Sequence, residues 1–326
     1  MRTFGISRRA ALGDLTAACT GMLLPALRAQ EPEVVRVGDA EIAVVFGSAS
    51  FDLSRNELLA WVTGSAAAVA TYYGRFPVQR ASLYLNARPG HTGIRGGRTW
   101  GDRGAHTRIL VGENATLDDL KRDWVLTHEF VHYAFPDVPD QNHWIEEGVA
   151  TYVEPIARVT AGTFDAGTAW FEMMRDMPQG EPRPGDEGLD NTHTWGRTYW
   201  GGALFCLIAD VEIHWRTNNR YGLQDALRGI VRVGGNMEHD WPLARALKAG
   251  DDAIGVPVLI ELYNRMKGTP VTPDLDRMWY ELGVRPSGDS VTFDQGAPQA
   301  SIVRSIMARR SSPGEPCGSL QSIRRR

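Results

Sequence analysis

The segment His128-Glu129-Phe130-Val131-His132 combines residue types that bind a metal ion with one that moves a proton. In a helix, residues four apart share one face, so both imidazoles can reach one ion at ~2.0–2.1 Å. Glu129 then stands beside the ion rather than on it, where it can take a proton from a water molecule. The competing interpretation is an amphipathic helix with two partly buried histidines. The spacing therefore predicts a metal site with a general base.

A further acidic group follows at a distance that allows it to complete the site. Fourteen residues separate His132 from Glu147, and prolines between them indicate that the chain turns back. A second helix can then lie antiparallel to the first, and Gly148 would let the helices approach closely. Two histidines and one carboxylate leave a fourth position open, as catalytic zinc requires. Glu147 is thus the predicted ligand, whereas Glu146 is a rim residue or an acidic residue favoured at a helix start.

These segments resemble a known family of enzymes. His-Glu-x-x-His followed by Trp-x-x-Glu-Gly-x-Ala-x-Tyr, which begins here at Trp144, is similar to the gluzincin zinc metallopeptidases. The pattern is most similar to the glycyl aminopeptidase family, whose Tyr-x-Lys-Gly-Ala helix the segment 198–204 also resembles. The resemblance covers about residues 90–285. It implies a thermolysin-like, two-lobed fold with the active site between the lobes.

The resemblance also implies a role for each matching residue. His128, His132 and Glu147 would bind Zn²⁺, and Glu129 would be the catalytic base. Tyr199 would donate to the oxyanion of the reaction.

The sequence departs from this family at two places. Gly201 stands where the family has lysine, and residues 96–102 lack the glutamate that captures a free substrate amine. Arg98 in that stretch would attract a carboxylate instead, so cleavage at a chain end and within a chain both stay open. Gly97, Arg98, Glu146 and Thr151 are weaker candidates for contacting substrate or supporting the ligands. For Thr151, a core threonine is an equally good interpretation.

The surrounding pattern indicates elements that could position these residues. Short apolar or β-branched runs over 34–37, 41–46, 82–85 and 107–111 predict strands, and residues 90–97 predict a flexible loop. Capping signals at Ser54 and Thr116 predict helices to Tyr73 and Phe135. Further helices are predicted over 143–159, with Pro155 bending or ending the helix, and over 198–216.

The order of these elements predicts an α+β fold. We expect a β-rich N-terminal lobe over 30–112 and a helical zinc-binding lobe over 113–285. A C-terminal extension over 286–326 follows, with its end disordered.

Charge and composition exclude one class of partner. The formal net charge of the chain is −4. Without residues 1–29 the chain has 31 basic and 38 acidic residues, a net charge of −7. Nucleic-acid binding depends on clustered Lys and Arg, so nucleic acid is not an expected partner.

The N-terminal residues resemble an export signal. Arg8 and Arg9 precede a mildly apolar stretch that ends near Ala29, as in a twin-arginine signal peptide over residues 1–29. Lipid attachment at Cys19 is a minor alternative. No other run approaches the ~20 apolar residues of a membrane span. We therefore expect a periplasmic or secreted protein.

The sequence predicts that Cys206 is a buried apolar residue. Whether it pairs with Cys317 is left open.

These observations predict an exported zinc-dependent metallopeptidase that acts on peptides or proteins. Two alternatives stay open. One is a hydrolase of non-peptide amides in the cell envelope, and the other is a non-catalytic binding protein on a metallopeptidase scaffold.

Overall fold

The computed structural model describes residues 32–308, which contain a sheet lobe and a helical lobe. The main sheet has the order β1-β2-β3-β5-β4; β2-β3 and β3-β5 pair in parallel, whereas the outer pairs are antiparallel. Its strands are β1 (Glu33–Val37), β2 (Ala40–Phe46), β3 (Arg80–Arg88), β4 (Ile94–Trp100) and β5 (Ala105–Gly112). This order leaves β4 at one edge of the sheet.

Local sequence signals account for the first half of this sheet. Val37 pairs with Ala40, so β1 and β2 form a tight hairpin, with Gly38 at a φ of 58°. The connection from β2 to the parallel β3 contains helix α1 (Arg55–Tyr73), which the predicted Ser54 capping box begins and Gly74 ends. Alternate residues of β2 are buried, as expected for a strand that packs on a helix.

The prediction of a flexible loop over residues 90–97 is partly wrong. Strand β4 begins at Ile94 and includes Gly96 and Gly97, which pair with Leu110 and Ile109 of β5. A bulge lies between Ile94 and Gly96. Glycine disfavours strands by its own propensity, so the backbone pairing with β5, rather than the local sequence, forms this strand.

The helical lobe follows β5. No helix within residues 32–308 has the length and apolar character needed to span a bilayer. Its helices are α2 (Leu117–Arg122), α3 (Val125–His132), α4 (His143–Thr160), α5 (Ala166–Asp176), α6 (Gly202–Arg216), α7 (Leu223–Arg232), α8 (Leu243–Ile254), α9 (Val258–Met266) and α10 (Leu275–Leu282).

The single helix predicted from Thr116 to Phe135 is two helices. Asp123 interrupts it, because its buried carboxylate accepts hydrogen bonds from the backbone N–H groups of Val125 and Leu126. These groups lie in the first turn of α3, where no helical carbonyl can bond them. The helix that carries the metal motif therefore starts at its own cap, only one turn before His128.

The prediction of a helix over 143–159 is confirmed, because α4 runs from His143 to Thr160 and continues through Pro155. The third predicted helix begins with a π-helical turn, Arg197–Gly201, before it becomes α6. Cys206 of α6 is buried as predicted, whereas Cys317, Cys19 and the signal segment 1–29 lie outside the described residues.

The chain beyond α10 packs on the rest of the protein. Strands β6 (Val284–Ser287) and β7 (Ser290–Phe293) form an antiparallel hairpin, and helix α11 (Ala300–Met307) buries its apolar face in the core. The end predicted to be disordered, from Ser311 on, lies outside the described residues.

Candidate metal centre

Helices α3 and α4 bring the three predicted ligands together. The Oε2 atom of Glu147 lies 3.2 Å from Nε2 of His128 and 3.7 Å from Nε2 of His132. The donor atoms of these three residues all lie within 4.8 Å of one another. Ligand atoms of a tetrahedral zinc ion with bonds of ~2.1 Å are about 3.4 Å apart. The observed separations therefore fit one zinc ion.

The protonation state of the histidine pair also fits a metal site. Burial lowers the pKa of His132 to about 4, which keeps its imidazole neutral at neutral pH. The neutral imidazole is the form that binds metals. The rings of His128 and His132 lie 4.9 Å apart at an angle of 85°.

Glu147 is held by a third histidine, His143, for which the sequence favoured a surface position over one in the cleft. Nε2 of His143 lies 3.3 Å from Oε1 of Glu147, and its Nδ1 lies 2.8 Å from Oε2 of Glu146. The other oxygen of Glu146 accepts a hydrogen bond from the backbone N–H of Val138. Glu146 thus belongs to a network that orients Glu147, and it does not line the cleft described below.

The surroundings of Glu147 lower its pKa, whereas those of Glu129, the other carboxylate of the site, raise it. Burial alone would raise the pKa of Glu147, but hydrogen bonds with His128 and His143 outweigh burial and lower its pKa below the usual range. An ionised carboxylate is the form that binds zinc.

Glu129 lies on the same helix as the histidines but faces the sheet. Its Oε2 accepts a hydrogen bond of 2.5 Å from the hydroxyl of Thr99 on β4. The hydroxyl of Thr107 lies 2.9 Å from that of Thr99, and the hydroxyl of Tyr133 lies 2.6 Å from that of Thr107. Because the carboxylate only accepts, each hydroxyl can donate to the next, from Tyr133 through to Glu129. Burial raises the pKa of Glu129, and the bond from Thr99 opposes that shift.

Gly97 of β4 touches Glu129 directly. A Cβ atom at this position would lie 2.5 Å from Oε1 and 2.6 Å from Cγ of Glu129, closer than real Cβ contacts. Gly97 and Thr99 share one face of the strand, so the exposed Arg98 between them points the other way. Gly97 therefore makes room for the proposed base, whereas Arg98 faces away from it.

Tyr199 reaches the site from a third direction. It lies on the π-helical turn before α6, and its ring stacks on that of His128 at 6.4 Å and 19°. Burial, the charge of Glu147 and a hydrogen bond with Glu147 raise its pKa, so the hydroxyl keeps its proton. π-helical turns occur frequently at functional sites.

A contact between two glycines sets the position of this turn. A Cβ atom on Gly148 of α4 would lie 2.3 Å from the backbone of Gly202, the first residue of α6. The sequence predicted close approach at Gly148 to the histidine helix, but the helix that approaches is α6. This backbone contact holds Tyr199 next to Glu147.

A cleft of about 630 Å³ opens beside the site. Thr151, a weak candidate from sequence, lines it one turn beyond Glu147. Trp124 and Trp195 line it as well, although the sequence favoured a packing role for Trp195 and did not single out Trp124. Their signal is present, however: each lies four residues before a site residue. The lining residues that contact or adjoin the site are Trp124, His128, Thr151, Trp195, Tyr199 and Trp200.

Comparison with known proteins finds the fold but no relative by sequence. No protein-family model matches the chain, and no curated protein matches it. The structure is similar to an aminopeptidase N family protein from Idiomarina loihiensis, with a TM-score of 0.57, 13% identity and coverage of 78% of this chain. It also matches an M1 zinc metallopeptidase from Deinococcus radiodurans, with a TM-score of 0.48, 15% identity and coverage of 74%.

The similarity to the aminopeptidase N family protein is a similarity of fold. This chain spans about half the length of the structures it matches, 49% and 52% respectively. The described residues share with the aminopeptidase N family protein a mixed α/β fold that has a sheet lobe and a helical lobe.

Proposed function

We propose that this protein is a zinc-dependent metallopeptidase of the gluzincin type. The observation that carries the proposal is the convergence of His128, His132 and Glu147 on one point, with Glu129 beside it and Tyr199 facing it. The likeness of fold to an aminopeptidase N family protein supports it. The finer assignments, a thermolysin-like arrangement of the lobes and kinship with glycyl aminopeptidases, are part of the same proposal.

The residues divide the reaction between them. A bound zinc ion would supply a Lewis acid that polarises the scissile carbonyl and makes water more acidic. Glu129 accepts the proton of the attacking water and passes it to the leaving amine, a role that its raised pKa favours. The hydroxyl of Tyr199 donates a hydrogen bond to the developing oxyanion.

The sheet edge supports a peptide as the substrate. β4 is the outer strand of the sheet, and it contacts α3 at Glu129. Its outer backbone groups have no strand partner among residues 32–308. An extended peptide can pair with such an edge by backbone hydrogen bonds, next to the base.

The mode of cleavage follows from the carboxylates near the site. A free amine bound in a closed cleft needs a fixed carboxylate partner. Glu146 is engaged with His143 and Val138, and Arg98 points away from Glu129. Neither Glu146 nor Arg98 is therefore placed to hold a chain end beside Glu129, and we expect peptides with an acetylated N-terminus to be cleaved. Glu172, on the α5 wall of the cleft, is the carboxylate that could still pair with a cationic group.

A library of peptides and a set of non-peptide amides, each assayed with and without a chelator, test the function. Hydrolysis of free and acetylated peptides that the chelator abolishes and zinc restores is the expected result. Hydrolysis of only non-peptide amides would support an envelope amidase. Zinc binding without any hydrolysis would support a binding protein on this scaffold.

We also propose export through the twin-arginine route, on the sequence of residues 1–29 alone. Replacing Arg8 and Arg9 by lysine should retain the full-length chain in the cytoplasm of a bacterial host. Export of that variant at the normal rate would overturn the proposal.

A further inference from the structure

Four aromatic rings form a continuous row across the site. Trp124, His128, Tyr199 and Trp195 follow one another with ring centroids 5.5, 6.4 and 5.6 Å apart. We call these residues the aromatic row. Its two inner members belong to the proposed metal site, so its two tryptophans flank the place where a scissile bond would lie.

The two tryptophans of the row are exposed. Trp124 retains 53% of its surface in solvent, and Trp195 retains 62%. Leaving indoles in water forfeits the free energy of burial, and an apolar substrate group that covers them would recover it. A third exposed tryptophan, Trp215 at 67%, lies outside the cleft and offers a matched comparison.

The remaining walls of the cleft combine apolar residues with polar and charged ones. Phe164, and Ala169 and Met173 of α5, supply apolar surface. Two arginines that line the cleft have acidic partners, since Arg158 pairs with Glu154 and Arg175 with Asp176.

Glu172 is the exception among the charged groups of the cleft. Among the described residues it has no ion pair within 4.0 Å, and it is only partly buried. A cationic substrate group could pair with it. The experiment must therefore distinguish binding of an apolar side chain in the cleft from binding of a cationic one.

We propose that Trp124 and Trp195 bind bulky apolar side chains, aromatic ones above all, next to the scissile bond of the substrate. The proposal rests on the proposed peptidase function and names its substrate class. A flat ring stacks on an indole with a large contact area, whereas a small side chain leaves most of the indole exposed to solvent. Discrimination of about 10–200-fold is usual for apolar pockets that lose part of their contact.

Two measurements test the proposal. The first compares kcat/KM for blocked peptides that carry Phe, Leu, Ala, Lys or Glu on either side of one scissile bond. Wild type should prefer Phe over Ala by at least about 10-fold. W124A or W195A should remove most of that preference by lowering kcat/KM more for Phe peptides than for Ala peptides, while W215A should behave as wild type. Zinc content is measured in each variant, because Trp124 contacts a proposed ligand.

The second measurement needs no turnover. The affinities of acetyl-phenylalaninamide and acetyl-alaninamide are measured on zinc-loaded E129Q, with and without the tryptophan substitutions. The proposal is supported if the aromatic amide binds more tightly than the alanine amide and if W124A or W195A weakens that binding. This result would support it even if no peptide is hydrolysed, and the absence of hydrolysis would then count only against the peptidase function.

Three results would overturn the proposal. The first is equal binding of both amides, and the second is a Phe preference that survives both tryptophan substitutions at full zinc content. The third is a preference for Lys peptides that E172Q abolishes, which would assign the cleft to a cationic side chain.

Discussion

Two buried glutamates reach the candidate site from different helices and meet different surroundings. Glu129 faces β4, where it accepts a hydrogen bond from Thr99 and packs against the bare backbone of Gly97. Glu147 faces imidazoles, with nitrogen atoms of His128 and His143 within 3.3 Å. The structure thus places one carboxylate among hydroxyl and backbone groups and the other among potential metal ligands.

The difference shows in their protonation. Burial raises the pKa of Glu129, whereas histidine contacts overcome burial and lower the pKa of Glu147. Carboxylates whose surroundings move their pKa values apart divide acid–base work from charge-stabilising work. This contrast supports the proposal that Glu129 is the base and Glu147 the ligand, and substitutions at each carboxylate and its neighbours test it.

The largest effect should come from Glu129→Gln. The amide keeps the size of the side chain but cannot accept the proton, so kcat/KM should fall by about 1000-fold or more. Peptide hydrolysis at saturating zinc measures it. The same isosteric change at the exposed Glu238 is the control and should leave activity within about 2-fold. Near-normal hydrolysis by the Glu129 variant would remove this residue from the reaction.

Gly97→Ala should come next. Its new Cβ would sit within 2.6 Å of the Glu129 side chain and must displace it, and displacement of a catalytic group by about 1 Å costs about 100-fold. Zinc content should stay near that of wild type. Gly64→Ala on α1, where a Cβ meets nothing within 4 Å, is the matched control and should retain activity. Full activity of the Gly97 variant would show that β4 does not constrain the base.

His143→Gln should affect Glu147, the second carboxylate of the comparison. It weakens the contacts that orient Glu147, and losing such a partner costs about 10–100-fold in metal affinity. Competition with a fluorescent chelator measures the affinity. His239→Gln, at an exposed histidine, should change nothing. Unchanged zinc affinity in the His143 variant would mean that Glu147 needs no support from this side.

The smallest effect is expected for Thr99→Val. Removing the hydrogen bond from Thr99 raises the pKa of Glu129 further, because that bond favours the carboxylate. The base must be ionised, so the acid limb of kcat/KM should move to higher pH by about one unit. Thr99→Ser restores the hydroxyl and should restore the limb. A limb that stays fixed or moves to lower pH would contradict the assignment.

The sequence predicted the parts of the site that depend on local spacing. His128 and His132 share a helix face by their four-residue separation, and Glu147 falls on the next helix within reach of them. The capping boxes at Ser54 and Thr116 are likewise local and were predicted correctly.

Features that depend on long-range contacts were not predictable from the sequence. The strand at Gly96 and Gly97 exists because β5 pairs with it, and local propensity predicts a loop there. The partner of Gly148 is Gly202, more than fifty residues away, and no spacing rule identifies it. Trp195 is exposed and lines the cleft, whereas the sequence favoured a packing role for it, because solvent exposure depends on tertiary packing.

The zinc content of two isosteric variants tests the central claim most directly. Glu129→Gln and Glu147→Gln each replace one carboxylate by an amide, and mass spectrometry of the purified chains counts the metal. Wild type and Glu129→Gln should each hold about one zinc ion per chain, while Glu147→Gln should lose most of it under the same dialysis. Loss of zinc from Glu129→Gln together with its retention in Glu147→Gln would contradict the assignment of ligand and base.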